Sequence, residues 1–157
     1  IGDEAAHQAA LVARKLWDQG KVGVLHLEHA EMLRPDTIEL LRKQSVICHL
    51  QPCHWLSDSK WLKNKVGSLY EFCFPWRALQ ENEIAFDFGS DSPIEKPSIQ
   101  DNIRALELSA QDGIGRLLGS PFRYHSYPDT TWTPNTYTLF EDAIPKSVVF
   151  RGQHLSF

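Results

Sequence analysis

Apolar and polar positions change period several times along this chain, and each change predicts an element. Ala5, Ala9, Val12 and Leu16 recur at helical spacing, which predicts a helix from Asp3 to about Gln19, with Asp3 as cap and Gly20 as stop. Val22 to His29 is instead a short apolar run that ends on a polar residue, the pattern of a strand covered on both faces. The same form returns at Val46–Gln51 and at Ile84–Ser90. Pro35 starts a helix through about Lys43, with proline at its favoured early position. Another helix begins at Pro75, and a last long one runs from Ile99 to about Leu118. Alternating strands and helices imply parallel strands joined by right-handed crossovers. Residues 52–70 read as a long loop at a strand end, with Trp55 and Trp61 packing within it. From Gly119 the texture changes. Pro121, Pro128 and Pro134 mark loop, and Tyr137–Phe140 and Ser147–Phe157 read as strands around an Ala143-Ile144-Pro145 turn. The expected division is therefore residues 1–118 and a tail, 119–157.

Composition narrows the class. A hydrophobic share of 42% and a charged share of 23% are those of a globular domain. A formal net charge of -4 leaves no electrostatic footprint for nucleic acid. No apolar run approaches the roughly 18 residues of a membrane span, and the first residues are not a signal peptide, so a cytoplasmic location is expected. The three cysteines form no Cys-x-x-Cys pair, which argues against a disulfide framework. Cys48-His49 and Cys53-His54 invite a zinc reading, but Pro52 breaks the strand between them and neighbouring strand residues face opposite ways. Buried structural cysteine is the better reading.

The chemistry concentrates at the strand ends. The three runs stop on His29, on Gln51 with His54 just beyond, and on Asp91. In α/β barrels the C-terminal ends of the strands hold the active site, so these ends look like one face of one site. Taken singly, each has a plainer explanation. A histidine after a strand is most often a surface or satisfied core residue, and Gly-Ser-Asp is most often a turn with aspartate capping the next helix. Their ordered recurrence on successive strands favours function for His29 and Asp91, while for His54 the two readings balance. Strand parity also puts Asp87 on the face of Asp91, and His49 on the face of Gln51 in the neighbouring strand. An unpaired buried carboxylate is costly, so a His49–Asp87 pair is expected.

Leu27-Glu-His-Ala-Glu-Met-Leu33, Gln51-Pro-Cys-His-Trp-Leu-Ser-Asp58 and Phe88-Gly-Ser-Asp-Ser-Pro-Ile-Glu95 together resemble the last three strand ends of an amidohydrolase-family metal-dependent hydrolase. The nearest branch is that of the N-substituted formamide deformylases, and the resemblance covers about residues 1–112. It implies an α/β fold: the C-terminal part of a (β/α)8 TIM-type barrel, about three parallel β/α units, followed by a short β tail. A complete barrel needs about 250 residues against the 157 present.

By the same resemblance His29 is a metal ligand. Asp91 contacts the metal or its water as ligand and general base, and His54 and Gln51 meet the substrate. The implied cofactor is a divalent metal, zinc by donor type, and the implied substrate is a small amide-like molecule whose C–N bond is cleaved by metal-activated water. The family's first-strand histidine pair, bridging lysine or acid and fifth-strand histidine have no counterparts here. The chain alone is therefore expected to hold metal weakly or not at all and to be inert. A three-stranded parallel sheet exposes two edges, so self-association or association through barrel edges is also expected. The competing reading is a non-catalytic dimerisation or interaction module derived from such a barrel. A flavodoxin-like ligand domain is disfavoured, because no glycine-rich phosphate loop follows any strand.

Overall fold

The computed structural model describes residues 2–21, 23–113, 137–141 and 144–155. They belong to two compact units that divide within residues 114–136, outside those described.

The first unit opens with α1 (Asp3–Asp18), followed by β1 (Leu25–Glu28), α2 (Pro35–Leu41) and β2 (Val46–Leu50). After β2 come α3 (His54–Asp58), α4 (Leu62–Val66) and a 3-10 turn at Gly67–Phe72, then α5 (Trp76–Glu81), β3 (Ala85–Phe88) and α6 (Ile99–Gln111). The strands form one parallel sheet in the order β1-β2-β3, with Leu27 beside Cys48 and Cys48 beside Phe86. Those three residues, with Val46 and Leu50, face a core built from Ala10, Ile38, Leu41, Leu79 and Leu106 of the helices. Leu41, Leu50 and Leu79 are fully buried, each removal from water worth about 1.5–3 kcal/mol. His26, His49 and Asp87 alternate with the core-facing residues and so lie on the other face.

Each strand stops earlier than its apolar run. β1 ends at Glu28 because His29 and Ala30 both take left-handed backbone, with φ of 68° and 44°. β3 ends at Phe88, and Asp91 is left-handed as well, with φ of 56°. At the start of α1 the cap position belongs to Gly2, and Asp3 sits in the first turn, where its charge suits the helix dipole. The stretch after Pro52 is not a loop. It is built from five- and six-residue helical pieces, too short to leave a periodic signature in sequence. Trp55 packs inside as expected, whereas Trp61 is largely exposed with the Lys65 ammonium 5.2 Å over its ring. All three cysteines are free and buried. Among the described residues no helix is long and apolar enough to cross a membrane.

The second unit contains an antiparallel sheet of β4 (Tyr137–Glu141), β5 (Ile144–Phe150) and β6 (Gln153–Leu155). Three strands replace the expected two. Ile144 and Pro145 belong to β5; the connection from β4 at 142–143 lies outside the described residues, and a second reversal, into β6, falls at Arg151-Gly152, both with positive φ. The loop expected at 119–135 and the far end of the helix expected to reach Leu118 lie outside the described residues.

Candidate metal centre

Four side chains meet where the three parallel strands end. His29 follows β1, and Glu31 lies two residues on. The left-handed pair His29–Ala30 reverses the chain so that both side chains serve one place. The Phe74 amide donates to the Glu31 carbonyl at 2.7 Å and the Leu33 amide to the Phe72 carbonyl at 3.0 Å, which fixes this segment against the 3-10 turn. His54 opens α3, its amide donating to the Gln51 carbonyl at 3.1 Å. Asp91 sits in the turn after β3, and the Gly89 amide ties that turn to the Leu50 carbonyl at 2.8 Å.

The two carboxylates bracket the two imidazoles. Glu31 Oε1 is 3.1 Å from His54 Nδ1 and 3.8 Å from His29 Nδ1. Asp91 Oδ2 is 3.6 Å from His54 Nε2 and 3.9 Å from His29 Nε2. The ring centroids of His29 and His54 are 5.6 Å apart at an interplanar angle of 58°. Three buried atoms here lack any hydrogen-bond partner: His29 Nδ1, Glu31 Oε1 and His54 Nε2. The short His54–Glu31 approach is therefore off hydrogen-bond geometry. Burial pushes the Glu31 carboxyl above the usual carboxylate range, against the opposing pull of the His54 and His29 imidazoles.

Buried polar atoms are normally satisfied, so a concentration of orphans on metal-ligating groups fits a group of side chains that could hold a cation. His29, Glu31 and His54 each offer a donor atom within 4.8 Å of the others. A tetrahedral zinc shell with Zn–N bonds of about 2.0–2.1 Å separates its donors by about 3.3 Å, so the side chains must draw together around an ion. Two imidazoles with carboxylates are a borderline-to-hard donor set suited to zinc and its first-row neighbours.

The sequence-predicted residues His29, His54 and Asp91 are thus brought together. Gln51 is buried with its side-chain Oε1 unpartnered, and it is tied to the site through its backbone carbonyl, which accepts from the His54 amide. Glu31 is the residue that sequence reasoning missed. Its signal was present as a carboxylate two residues beyond His29 inside the same motif, but only the left-handed turn brings it alongside.

Below this site, the expected His49–Asp87 pair is present. The His49 Nδ1–H donates to Asp87 Oδ1 at 2.8 Å. His49 Nε2 then accepts from His26 Nδ1–H at 2.9 Å, extending the pair to a relay across all three strands. The His26 and His49 rings are parallel within 4°, and their centroids are 5.2 Å apart. That separation equals the hydrogen bond plus two centroid-to-nitrogen radii, so the rings lie edge to edge in a common plane. A gap of 2.9 Å is also narrower than the roughly 3.3 Å between two nitrogens on one zinc, so it holds a proton rather than a metal.

No protein-family model and no curated protein matches the sequence. Two solved structures do. One is an uncharacterised metal-dependent hydrolase from Pyrococcus horikoshii OT3, at 26% identity and a TM-score of 0.58, aligned over 73% of this chain and 22% of that one. The other is an uncharacterised metal-dependent hydrolase from Pyrococcus furiosus, at 27% identity and a TM-score of 0.53, over 68% of this chain and 21% of that one. The chain therefore spans about a fifth of the length of the hydrolases it resembles, and the mixed α/β unit with its three parallel strands is consistent with part of their fold.

Proposed function

We propose that this chain carries part of the active site of a metal-dependent amidohydrolase, acting on the C–N bond of a small amide- or formamide-like substrate within a (β/α)8 barrel. The observation that carries the reading is the pair of imidazoles bracketed by two carboxylates at parallel strand ends, with its orphaned donors. A metal ligand histidine commonly donates its other ring N–H to a carboxylate. The metal seat is assigned to Nε2 of His29 and His54 with Asp91; as the side chains draw together around an ion, Glu31 Oε1, which lies 3.8 and 3.1 Å from the two Nδ1 atoms without a hydrogen bond, would come to accept from that side and orient the rings. Zinc suits these donors, and when bound it polarises a carbonyl and acidifies water. Asp91 also takes the proton released by water and returns it to the leaving nitrogen. Gln51, with its unpartnered side-chain Oε1, and His54 are assigned to the substrate.

The test is metal content together with hydrolysis of an N-formyl and amide panel, on this chain and on longer forms of it. Asp91→Asn should remove both metal and turnover, whereas Glu31→Gln should weaken metal about 10- to 100-fold without abolishing it. The reverse order would move the seat to the His29–Glu31–His54 side. No saturable metal in any form would overturn the reading and favour an association module, for which the outer edges of β1 and β3 supply unpaired backbone groups.

A further inference from the structure

We infer that Asn102, in the second turn of α6, is a positioning residue that sets the separation of His54 from Asp91. The inference rests on the reading of those residues as a metal seat. Asn102 is 9% exposed and makes two hydrogen bonds in opposite directions. Its Oδ1 accepts from the Cys53 amide at 2.9 Å, and its Nδ2 donates to the Gly89 carbonyl at 3.0 Å. Cys53 immediately precedes His54, and Gly89 lies two residues before Asp91. One side chain therefore holds the loop after β2 and the turn after β3 at once.

The primary amide is the one side chain of this size that accepts at one corner and donates at the other. Asp101 beside it is not equivalent, since its amide is taken by the Ser98 side chain that caps α6. Two further links cross the same gap: Gly89 amide to Leu50 carbonyl at 2.8 Å, and Cys53 Sγ to the Ser90 carbonyl at 3.7 Å. The first fixes the base of the turn, and a thiol is a weak donor. The thiol contact reaches Ser90, one residue nearer Asp91 than Gly89, but at 3.7 Å it is the weaker hold, which leaves the Asn102 clamp as the strong one. Without Asn102 that weak thiol contact would be left to hold the two segments beyond Gly89, and the 3.6 Å between His54 Nε2 and Asp91 Oδ2 would widen.

Asn102→Asp separates the two arms. The carboxylate still accepts from the Cys53 amide, but it cannot donate to the Gly89 carbonyl and repels it. His54 should stay beside Glu31 while the Asp91 turn loosens. Without metal, the nuclear Overhauser effect between the His54 ring and the Asp91 Hβ protons should vanish while that between His54 and Glu31 survives. Zinc affinity should fall about 10- to 100-fold, the usual range for an outer-sphere partner. An unchanged His54–Asp91 proximity in folded Asn102→Asp refutes the clamp whatever the metal result. If the two side chains separate in the variant, but neither this chain nor any longer form binds zinc, the clamp stands and the metal seat is overturned instead.

Discussion

His49→Leu tests the relay most directly. Leucine occupies a similar volume, suits a strand, and removes both imidazole nitrogens at once. The His49 Nδ1–H bond to Asp87 is made to a carboxylate, a type worth about 1.5–3 kcal/mol net. Its side chains are 21% and 17% exposed, so water recovers part of what Asp87 loses. The second bond, to exposed His26, is of the neutral kind and lies at the low end of about 0.5–1.5 kcal/mol. Leucine gains little by burial here, because this face of the sheet is not the one packed on the helices. A net loss of about 1.5–2.5 kcal/mol follows. Urea unfolding followed by circular dichroism reads it as a lower midpoint at unchanged slope. A double-mutant cycle with Asp87→Asn should return a larger coupling than one with His26→Ala. Nitrogen-15 spectra should show both His49 and His26 in the Nδ1–H tautomer, joined by a scalar coupling across the N–H···N bond. A loss below about 0.5 kcal/mol with His26 in the other tautomer would refute the relay, since no carboxylate would then be polarising the pair.

Two more outcomes follow from the fold. Burial pushes the Cys48 thiol up to about 12 and those of Cys53 and Cys73 up to about 11. An acid raised this far stays protonated at pH 8, so a disulfide reagent should react slowly with the folded protein and rapidly with three thiols after unfolding; a fast native equivalent would contradict the burial. Leu50→Ala, at a fully buried position beneath the site, should cost about 2.7–5 kcal/mol by chemical denaturation, and a cost under 1 kcal/mol would mean that the core around β2 is not closed as described.

What the sequence disclosed depended on how local each cause was. Apolar runs located all three parallel strands, because a doubly covered strand signals itself within a few residues. His29, His54 and Asp91 were legible because each directly terminates or follows such a run. The His49–Asp87 pair followed from parity alone, since alternation holds within a strand. Parity fails once the strand ends, and that is where Glu31 was lost. Its place beside His54 comes from the backbone reversal at His29–Ala30 and from the Phe74 amide on its carbonyl, a contact 43 positions away in sequence (74 − 31). His26 was missed for a related reason. Register sets it opposite Ile47, so its bond to His49 is diagonal. The helices after Pro52 were illegible because five residues cannot display a 3.6-residue period.

The left-handed residues show what the chain gives up to form the site. The ends of α1 and α6 use glycine for positive φ, at Gly20 and Gly113. His29 and Asp91 adopt the same region with side chains that clash there, at about 1–2 kcal/mol each. Glycine at either position would relieve the backbone and delete a donor. Ala30 has no such chemistry, but it is 4% exposed and part of the core, so its methyl group has a packing role glycine could not fill. The strain is held by bonds on both sides. The Ala30 amide donates to the Glu28 carbonyl and the Phe74 amide to that of Glu31, while Gly89 and Asn102 secure the turn that bears Asp91. Strained residues persist only where the surroundings over-determine them. Two of the three strand ends meet that condition, each supported by residues that touch no ligand, and the third, at His54, is fixed by a helix start instead.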